Sequence, residues 1–582
     1  MRPREMARKL AIPLKDVQRE LHEPPAGRRL LGPAPWQTDA PVAPSGKSWL
    51  LAVLAALALL AAGAGIFAAT LRFEFLDWDD TRYILENPWI RSFSAENLFY
   101  IFTSPYYNNY LPLHLLSYQL DYFLWAENPL GYHLQSVLLH ALNGVLVYLV
   151  IQQLSGRIWV AFLTALFFAL HPCHVESVAW VSSRKDVLSM AFALLSLYTY
   201  LRSRGTSRYN GLTYVASVFF YMMAILSKAI VVLLPVFFIL VDMMEAAPPW
   251  RDRQAPFWRL IRNKIPYFAL GLAVVYLNYL AQVTAKAAYA SDPVQYILVK
   301  GHAVWSYFWL LTGAAVGRPI HDLPTLGIMT PDTLSALMGI VLPVTIIWVA
   351  YRLRSRVLAL GLGWMFVTLF PALAFPLVTY MADRYLYAPS LGFCWLLSAA
   401  VVQGASRLAP ERTKILCIVG TAVAVNSFFV FRTLQYLPVW KNPESLWRYT
   451  VQTSRGFRSR NALAVVYIRQ GKYEEAERLL KIAETIPNVT TYRNYGILFD
   501  KQGRYKEALE AYERAIALYN KNPGTQLELA NIHFNRGVVF WKMRDFVKAS
   551  EAFEEVLRIM PHHMKAKKWA EKARKRQTGS TS

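Results

Sequence analysis

Residues 48–71 carry no charge. At ~1.5 Å rise per residue, a helix of that length crosses the ~30 Å hydrocarbon core of a bilayer. Ten further uncharged runs follow, at 132–155, 158–175, 187–201, 209–227, 229–241, 265–285, 333–350, 357–375, 386–405 and 415–431. In lipid each backbone N–H and C=O must find its partner inside the segment, so a chain made of such runs folds as a bundle of membrane helices. About eleven spans are expected, the shorter ones needing tilt, local bilayer thinning or buried polar ends. A cleavable leader is a poor reading of 48–71, because the apolar stretch is too long and the segment before it lacks a leader's economy.

Charge gives the orientation. Apolar and aromatic residues make up 55% of the chain, and Lys and Arg concentrate in short loops and in the tail after about residue 440. Basic loops prefer the cytoplasmic side. An N-in chain crossing eleven times places the segments "MRPREMARK", "RSRGTSR", "RDRQAPFWRLIRNK", "RLRSR" and "SRLAPERTK" together inside. That count holds if 301–317, an ambiguous run, is a re-entrant or interfacial helix. Residues 72–131, 172–186, 376–384 and everything after about 433 then lie outside. The net charge of +24 reads as membrane topology plus a basic tail that meets membrane lipids, and nucleic acid is not an expected partner. Cys173, Cys394 and Cys417 form no disulfide framework.

The tail has its own period. Ala464, Gly496 and Gly537 are each followed at fixed offsets by an aromatic (Tyr467, Phe499, Phe540), a second aromatic (Tyr473, Tyr505, Phe546) and an alanine (Ala476, Ala508, Ala549). This is the spacing of a tetratricopeptide repeat, in which small residues let two antiparallel helices approach. The wider second interval predicts an insertion around "YNKNPGT". The expected organisation is a basic cytoplasmic segment at 1–47, a membrane domain at 48–435, a repeat array at 436–570 and a disordered tail at 571–582. Stacked repeats bind extended chains, or serve packing and dimerisation.

Chemistry falls to the outer loops. "FEFLDWDDTRYILENP" places Asp77, Asp79 and Asp80 around Trp78, just past the first span. "HPCHVESVAWVSSRKD" holds His171, His174, Glu176, Arg184, Lys185 and Asp186 at a membrane boundary, and His133 and His140 share one face of the preceding helix. Lys228 stands between two apolar runs, and Asp383 and Arg384 just precede another. Ionisable groups at such depth are costly unless they face a cavity or one another, which makes a site the default reading. Each has a plainer alternative: Asp77 or Asp79 as a helix cap, Lys228 as a snorkelling side chain, Arg184 and Lys185 as interfacial anchors, the histidines as packed core. Zinc on His171, His174 and Glu176 lacks a clear further ligand.

Taken together, "FxxWDD" after the first span, "HPxHxESVAWxxxRKD", the "SKA" junction, "ADRYLYAPSLG" and the C-terminal repeats resemble the TMTC-type proteins. These are transmembrane, tetratricopeptide-repeat O-mannosyltransferases of the GT-C superfamily, and the resemblance runs from about residue 48 to the end. It implies an all-α chain: a polytopic GT-C-type membrane domain of about eleven helices followed by a soluble repeat array. It also implies transfer of mannose or another hexose from a polyprenyl- or dolichyl-phosphate donor to an acceptor polypeptide held by the repeats. About three repeats point to a bacterial relative, in the inner membrane with the array periplasmic; a eukaryotic one would sit in the endoplasmic reticulum with the array lumenal. The acceptor carboxylate of GT-C enzymes lies in the first outer loop, which carries over to Asp79 or Asp80. Arg384, Lys228, Arg184 and Lys185 are the candidates for the donor phosphate, Arg384 first because its planar fork matches phosphate oxygens. Asp77, His171, His174, Glu176 and Asp383 would support them or the sugar. No cofactor is certain: cations at the membrane boundary could replace a divalent metal, although the paired Asp79 and Asp80 keep one possible. A glycan or lipid acceptor, a non-catalytic membrane-anchored platform and a transporter are the competing readings.

Overall fold

The computed structural model describes residues 46–204, 211–245, 258–282, 292–327, 330–353, 355–375, 379–408, 410–521 and 525–577. The basic N-terminal segment, parts of the basic loops, residues 283–291 and residues 522–524 of the expected insertion lie outside these residues. No named strand occurs among them.

Among the described residues, twelve longer helices frame the first body, with shorter ones in its loops: α1 (Gly46–Phe67), α2 (Pro129–Ser155), α3 (Ile158–Leu170), α4 (Arg184–Ser203), α5 (Gly211–Ser227), α6 (Leu234–Glu245), α7 (Ile265–Gln282), α8 (Pro293–Leu311), α9 (Pro331–Leu353), α10 (Arg356–Ala374), α11 (Ser390–Leu408) and α12 (Glu411–Tyr436). The bundle has two distinguishable ends. At one, Asp242 of α6 pairs with Lys264 and Arg204 and accepts from Tyr200. At the other lie the first loop, the α3–α4 loop, Lys228 and the α10–α11 loop.

Five described helices are long and apolar enough to cross a bilayer: Trp49–Arg72, Pro129–Ser155, Pro331–Leu353, Arg356–Ala374 and Arg412–Trp440. A bent pair, Ile158–Leu170 with Pro172–Ala179, makes a sixth, and Gly211–Ser227, Ala229–Met244 and Ile265–Ala281 are apolar but shorter. The expected eleven runs thus form helices, but only about half meet the requirement alone. The reason is enclosure: α3 and α4 are largely buried among neighbours, so they need neither full length nor an apolar surface all round.

The ambiguous run forms α8, which starts earlier than its uncharged stretch, capped by Asp292 with Pro293 behind it. Near its start, the Tyr296 hydroxyl donates to Leu373 O at 2.8 Å and Lys300 Nζ to Ala372 O at 3.0 Å, both at the end of α10. At its far end Leu311 O meets His171 Nε2 at 2.8 Å. Both ends of α8 are therefore tied to the same end of the bundle, and α8 does not traverse it. It crosses α9 backbone to backbone: a Cβ on Gly339 would fall 1.8 Å from Gly301 O.

After α12 the chain forms α13 (Pro443–Thr453), then the helix pairs α14 (Phe457–Arg469) and α15 (Tyr473–Ala483), α16 (Val489–Lys501) and α17 (Tyr505–Lys521), α18 (Gln526–Lys542) and α19 (Phe546–Ile559). The period read from the sequence is visible in the packing, since Gly496 lies against the Tyr512 ring and Gly537 against Phe553. Each pair turns on a left-handed residue: Gly471 and Gly503, then Arg544 at φ 63°. A last helix, α20 (Met564–Gln577), buries Ala566, Ala570 and Ala573 on this stack. The helix runs past 571, so a disordered tail from that point is corrected: an alanine stripe gives these basic residues an apolar side to dock with.

Candidate active site

The first loop leaves α1 through Phe73 and turns at Leu76–Asp80. Asp80 is fully buried, accepting from Leu76 N at 2.9 Å and Ser182 N at 3.0 Å, and also from the Ser182 hydroxyl. Burial pushes its carboxyl up to about 6. This carboxylate staples the first loop to the α3–α4 loop, and its oxygens are occupied. Asp77 faces the repeat array, accepting from Trp447 Nε1 at 2.9 Å and Arg469 at 3.1 Å. Asp79 alone of the three is half-buried with no hydrogen bond to its carboxylate among the described residues. It lies one helical turn before Tyr83, on the same face.

Trp78 stacks on Trp180, with ring centroids 4.7 Å apart and planes 18° off parallel. Over the same Trp180 ring lies Arg384, its guanidinium carbon 5.4 Å from the centroid. Trp78 of the first loop and Arg384, some three hundred residues apart in sequence, thus lie against the same indole. Arg384 also ion-pairs with buried Glu176, whose second oxygen accepts from Arg384 N at 2.9 Å. Lys228 pairs with Asp186 and sits 5.3 Å over the Tyr385 ring.

Lys185 lies in the first turn of α4, ahead of its apolar part, 5.2 Å over the Tyr83 ring. Among the described residues no carboxylate is within ion-pair distance of it. Burial first, then the nearby charges of Lys228 and Arg384, bring its ammonium down to about 8 against the opposing pull of Asp79 and Asp186. Of the three cations, Arg384 and Lys228 have close carboxylate partners and Lys185 has none among the described residues. An anion at that spot would relieve Lys185.

The other predicted residues are placed differently. Arg184 is wholly enclosed, ion-paired with buried Asp121, donating to Tyr132 O at 2.7 Å, and lying 4.9 Å over the Tyr118 ring. Its role as a phosphate ligand is corrected: the fork is spent inside the protein. His171 accepts from Cys173 N and meets Leu311 O, while His174 meets the Ser390 hydroxyl at 2.8 Å. Asp383 is buried, accepting from Arg318 N at 2.8 Å and bonded to His321 at 2.8 Å. These groups hold loops together around the patch. No group of three His, Cys, Asp or Glu able to hold a metal occurs among the described residues. With Asp80 committed to Ser182, Asp79 and Asp80 do not present a paired carboxylate site, and a divalent ion does not fit there.

Sequence reasoning missed Trp180, Tyr385 and His321 as parts of this region. The first two lie inside "HPCHVESVAWVSSRKD" and "ADRYLYAPSLG", where aromatic residues beside ionisable ones were the available signal; His321 follows the ambiguous run and had none.

A tetratricopeptide-repeat family model matches residues 488–562, and another matches 458–481. Human protein O-mannosyl-transferase TMTC1 is 25% identical over 535 residues, covering 81% of this chain and 56% of that protein. Tmtc3 of Drosophila melanogaster is 25% identical over 515 residues, covering 74% of this chain and 54% of its own length. The chain is a relative of the TMTC-type protein O-mannosyl-transferases. Mouse TMTC2 reaches 34% identity, over 170 residues that make up 28% of this chain and 20% of that protein. The chain spans about half the length of the curated relatives that it matches along most of its own. Among solved structures, ArnT from Cupriavidus metallidurans bound to undecaprenyl phosphate covers 81% of this chain and 80% of its own at 16% identity, with a TM-score of 0.34. That likeness carries no inference about fold or chemistry.

Proposed function

We propose that this chain is an integral membrane glycosyltransferase of the GT-C type. It moves a hexose, mannose by analogy with the names of its relatives, from a polyprenyl phosphate to Ser/Thr hydroxyls of an extracytoplasmic polypeptide. What supports the reading is Lys185, which lies in the field of Asp79 on one side and of Lys228 and Arg384 on the other, at the bundle end that joins the repeat array. In the reaction the acceptor oxygen bonds to the anomeric carbon while the bond from that carbon to the phosphate oxygen breaks. The bonding pair leaves with the phosphate. Asp79 takes the hydroxyl proton, since an alcohol is a poor nucleophile at neutral pH. The three cations stabilise charge that grows on the phosphate, an effect stronger in the transition state than before it. Phosphate is already a good leaving group, so no general acid is needed.

A groove of about 500 Å³ between α14 and α16, lined by Arg458, Asn461, Asn488, Arg493 and Asn494, suits an extended acceptor. Holding the acceptor there raises its effective concentration at Asp79. Intact-mass spectrometry of extracytoplasmic proteins from cells with and without the chain tests the reading. A hexose-sized increment lost with the chain supports it; an unchanged proteome removes protein as the acceptor and favours a glycan or lipid acceptor, or a non-catalytic platform.

A further inference from the structure

The segment "SPYYNNY" at 104–110 makes a two-residue turn packed against Tyr83, one helical turn from Asp79. Tyr106 and Asn109 exchange both backbone hydrogen bonds, at 2.9 and 3.0 Å, and the two central residues, Tyr107 and Asn108, hold φ of 48° and 59°. Such a turn ordinarily takes Asn and Gly. Asparagine tolerates the left-handed region, but a tyrosine there crowds its Cβ against the following carbonyl. Burial does not offset this, because Tyr107 is 49% exposed. Its ring meets Tyr83 edge-on, with centroids 5.9 Å apart at 89°. Tyr83 in turn carries Lys185 on its face and stands one turn from Asp79. Burial and the Asp79 charge both push the Tyr107 phenol up, which places the two groups in each other's field.

A left-handed aromatic residue kept half in solvent beside a free carboxylate is strain held at a site, and that pattern points to a ligand. We propose that Tyr107 is a substrate-positioning residue whose ring stacks on the C–H face of the transferred pyranose, with its anomeric carbon between Asp79 and Lys185. The proposal rests on the transferase reading. A pyranose offers one face rich in C–H and an edge of hydroxyls. The Tyr107 ring takes the face, and the exposed Asn108 amide at the same turn is placed for the edge.

The test uses the full chain in nanodiscs with a polyprenyl-phosphate mannose donor and a Ser/Thr peptide. Tyr107→Ala is expected to raise donor KM about ten-fold with kcat within about three-fold, Tyr107→Phe to stay within about two-fold of wild type in both, since the ring does the stacking. Tyr107→Gly should show the same KM loss as the alanine variant without a lower Tm, because glycine fits the turn. Wild-type kinetics in Tyr107→Ala, a Tyr107→Phe as impaired as the alanine variant, or a Tyr107→Gly that loses Tm together with activity would each overturn the proposal. A wild-type chain with no turnover removes the transferase reading and this proposal with it; turnover indifferent to residue 107 removes this proposal alone.

Discussion

Arg384→Ala on its own would mislead, because Arg384 has two jobs. It holds the buried carboxylate of Glu176, and its guanidinium lies over Trp180 beside the other two cations. Removing one member of a buried pair leaves an uncompensated charge and costs about 3–5 kcal/mol of stability. Lost turnover would then follow from unfolding alone. The informative perturbation is the pair Arg384→Met with Glu176→Gln, compared with each single change. The double variant has no orphaned charge, so it is expected to recover most of the stability lost by Arg384→Met, to within about 1–2 kcal/mol of wild type. Turnover should not recover, because a fixed cation on a developing phosphate charge is worth about 3–4 kcal/mol, or roughly 10²–10³ in kcat. Thermal unfolding in detergent and sugar transfer to a peptide supply the two readouts. A double variant that regains both stability and turnover would refute the argument and reduce Arg384 to a structural cation.

Lys185 should give the donor KM an alkaline limb. Its ammonium sits near 8, so binding of a phosphate weakens as pH rises through that value and the cation is lost, and Lys185→Arg should move the limb up beyond the accessible range. Asp77→Ala leaves Trp447 Nε1 without its acceptor and should loosen the junction with the repeat array by about 1–3 kcal/mol, read as faster amide exchange in α13. Gly339→Ala drives a Cβ into the Gly301 carbonyl and should cost about 1–3 kcal/mol in stability, whereas Gly65→Ala, where nothing lies within 4 Å, should leave Tm unchanged.

The helices were legible because their information is local. Uncharged runs bounded by charge give apolar helices whatever their neighbours, and the small residues that mark the repeat in the tail sit at helix crossings, as Gly496 against Tyr512 illustrates. The lengths were less legible, since how much of α3 or α4 must be apolar depends on what encloses it. At the site, sequence pointed to the right loops but could not rank their members. Asp79 and Asp80 are adjacent in the chain, yet one is stapled to Ser182 and the other is free. Arg184 and Lys185 are likewise adjacent, and a helical turn aims one into Asp121 and the other at Tyr83. Those distinctions arise from partners far away in sequence, with no trace in the motif itself.

Asp79 is the group proposed to accept the proton of the acceptor hydroxyl. Steady-state transfer by Asp79→Asn measures this directly, because asparagine keeps the size of the side chain, and Asp79 makes no hydrogen bond among the described residues that a structural role would require. The expected result is a fall in kcat of about 10²–10⁴ with donor KM and Tm unchanged. Turnover close to wild type in that variant would contradict the assignment.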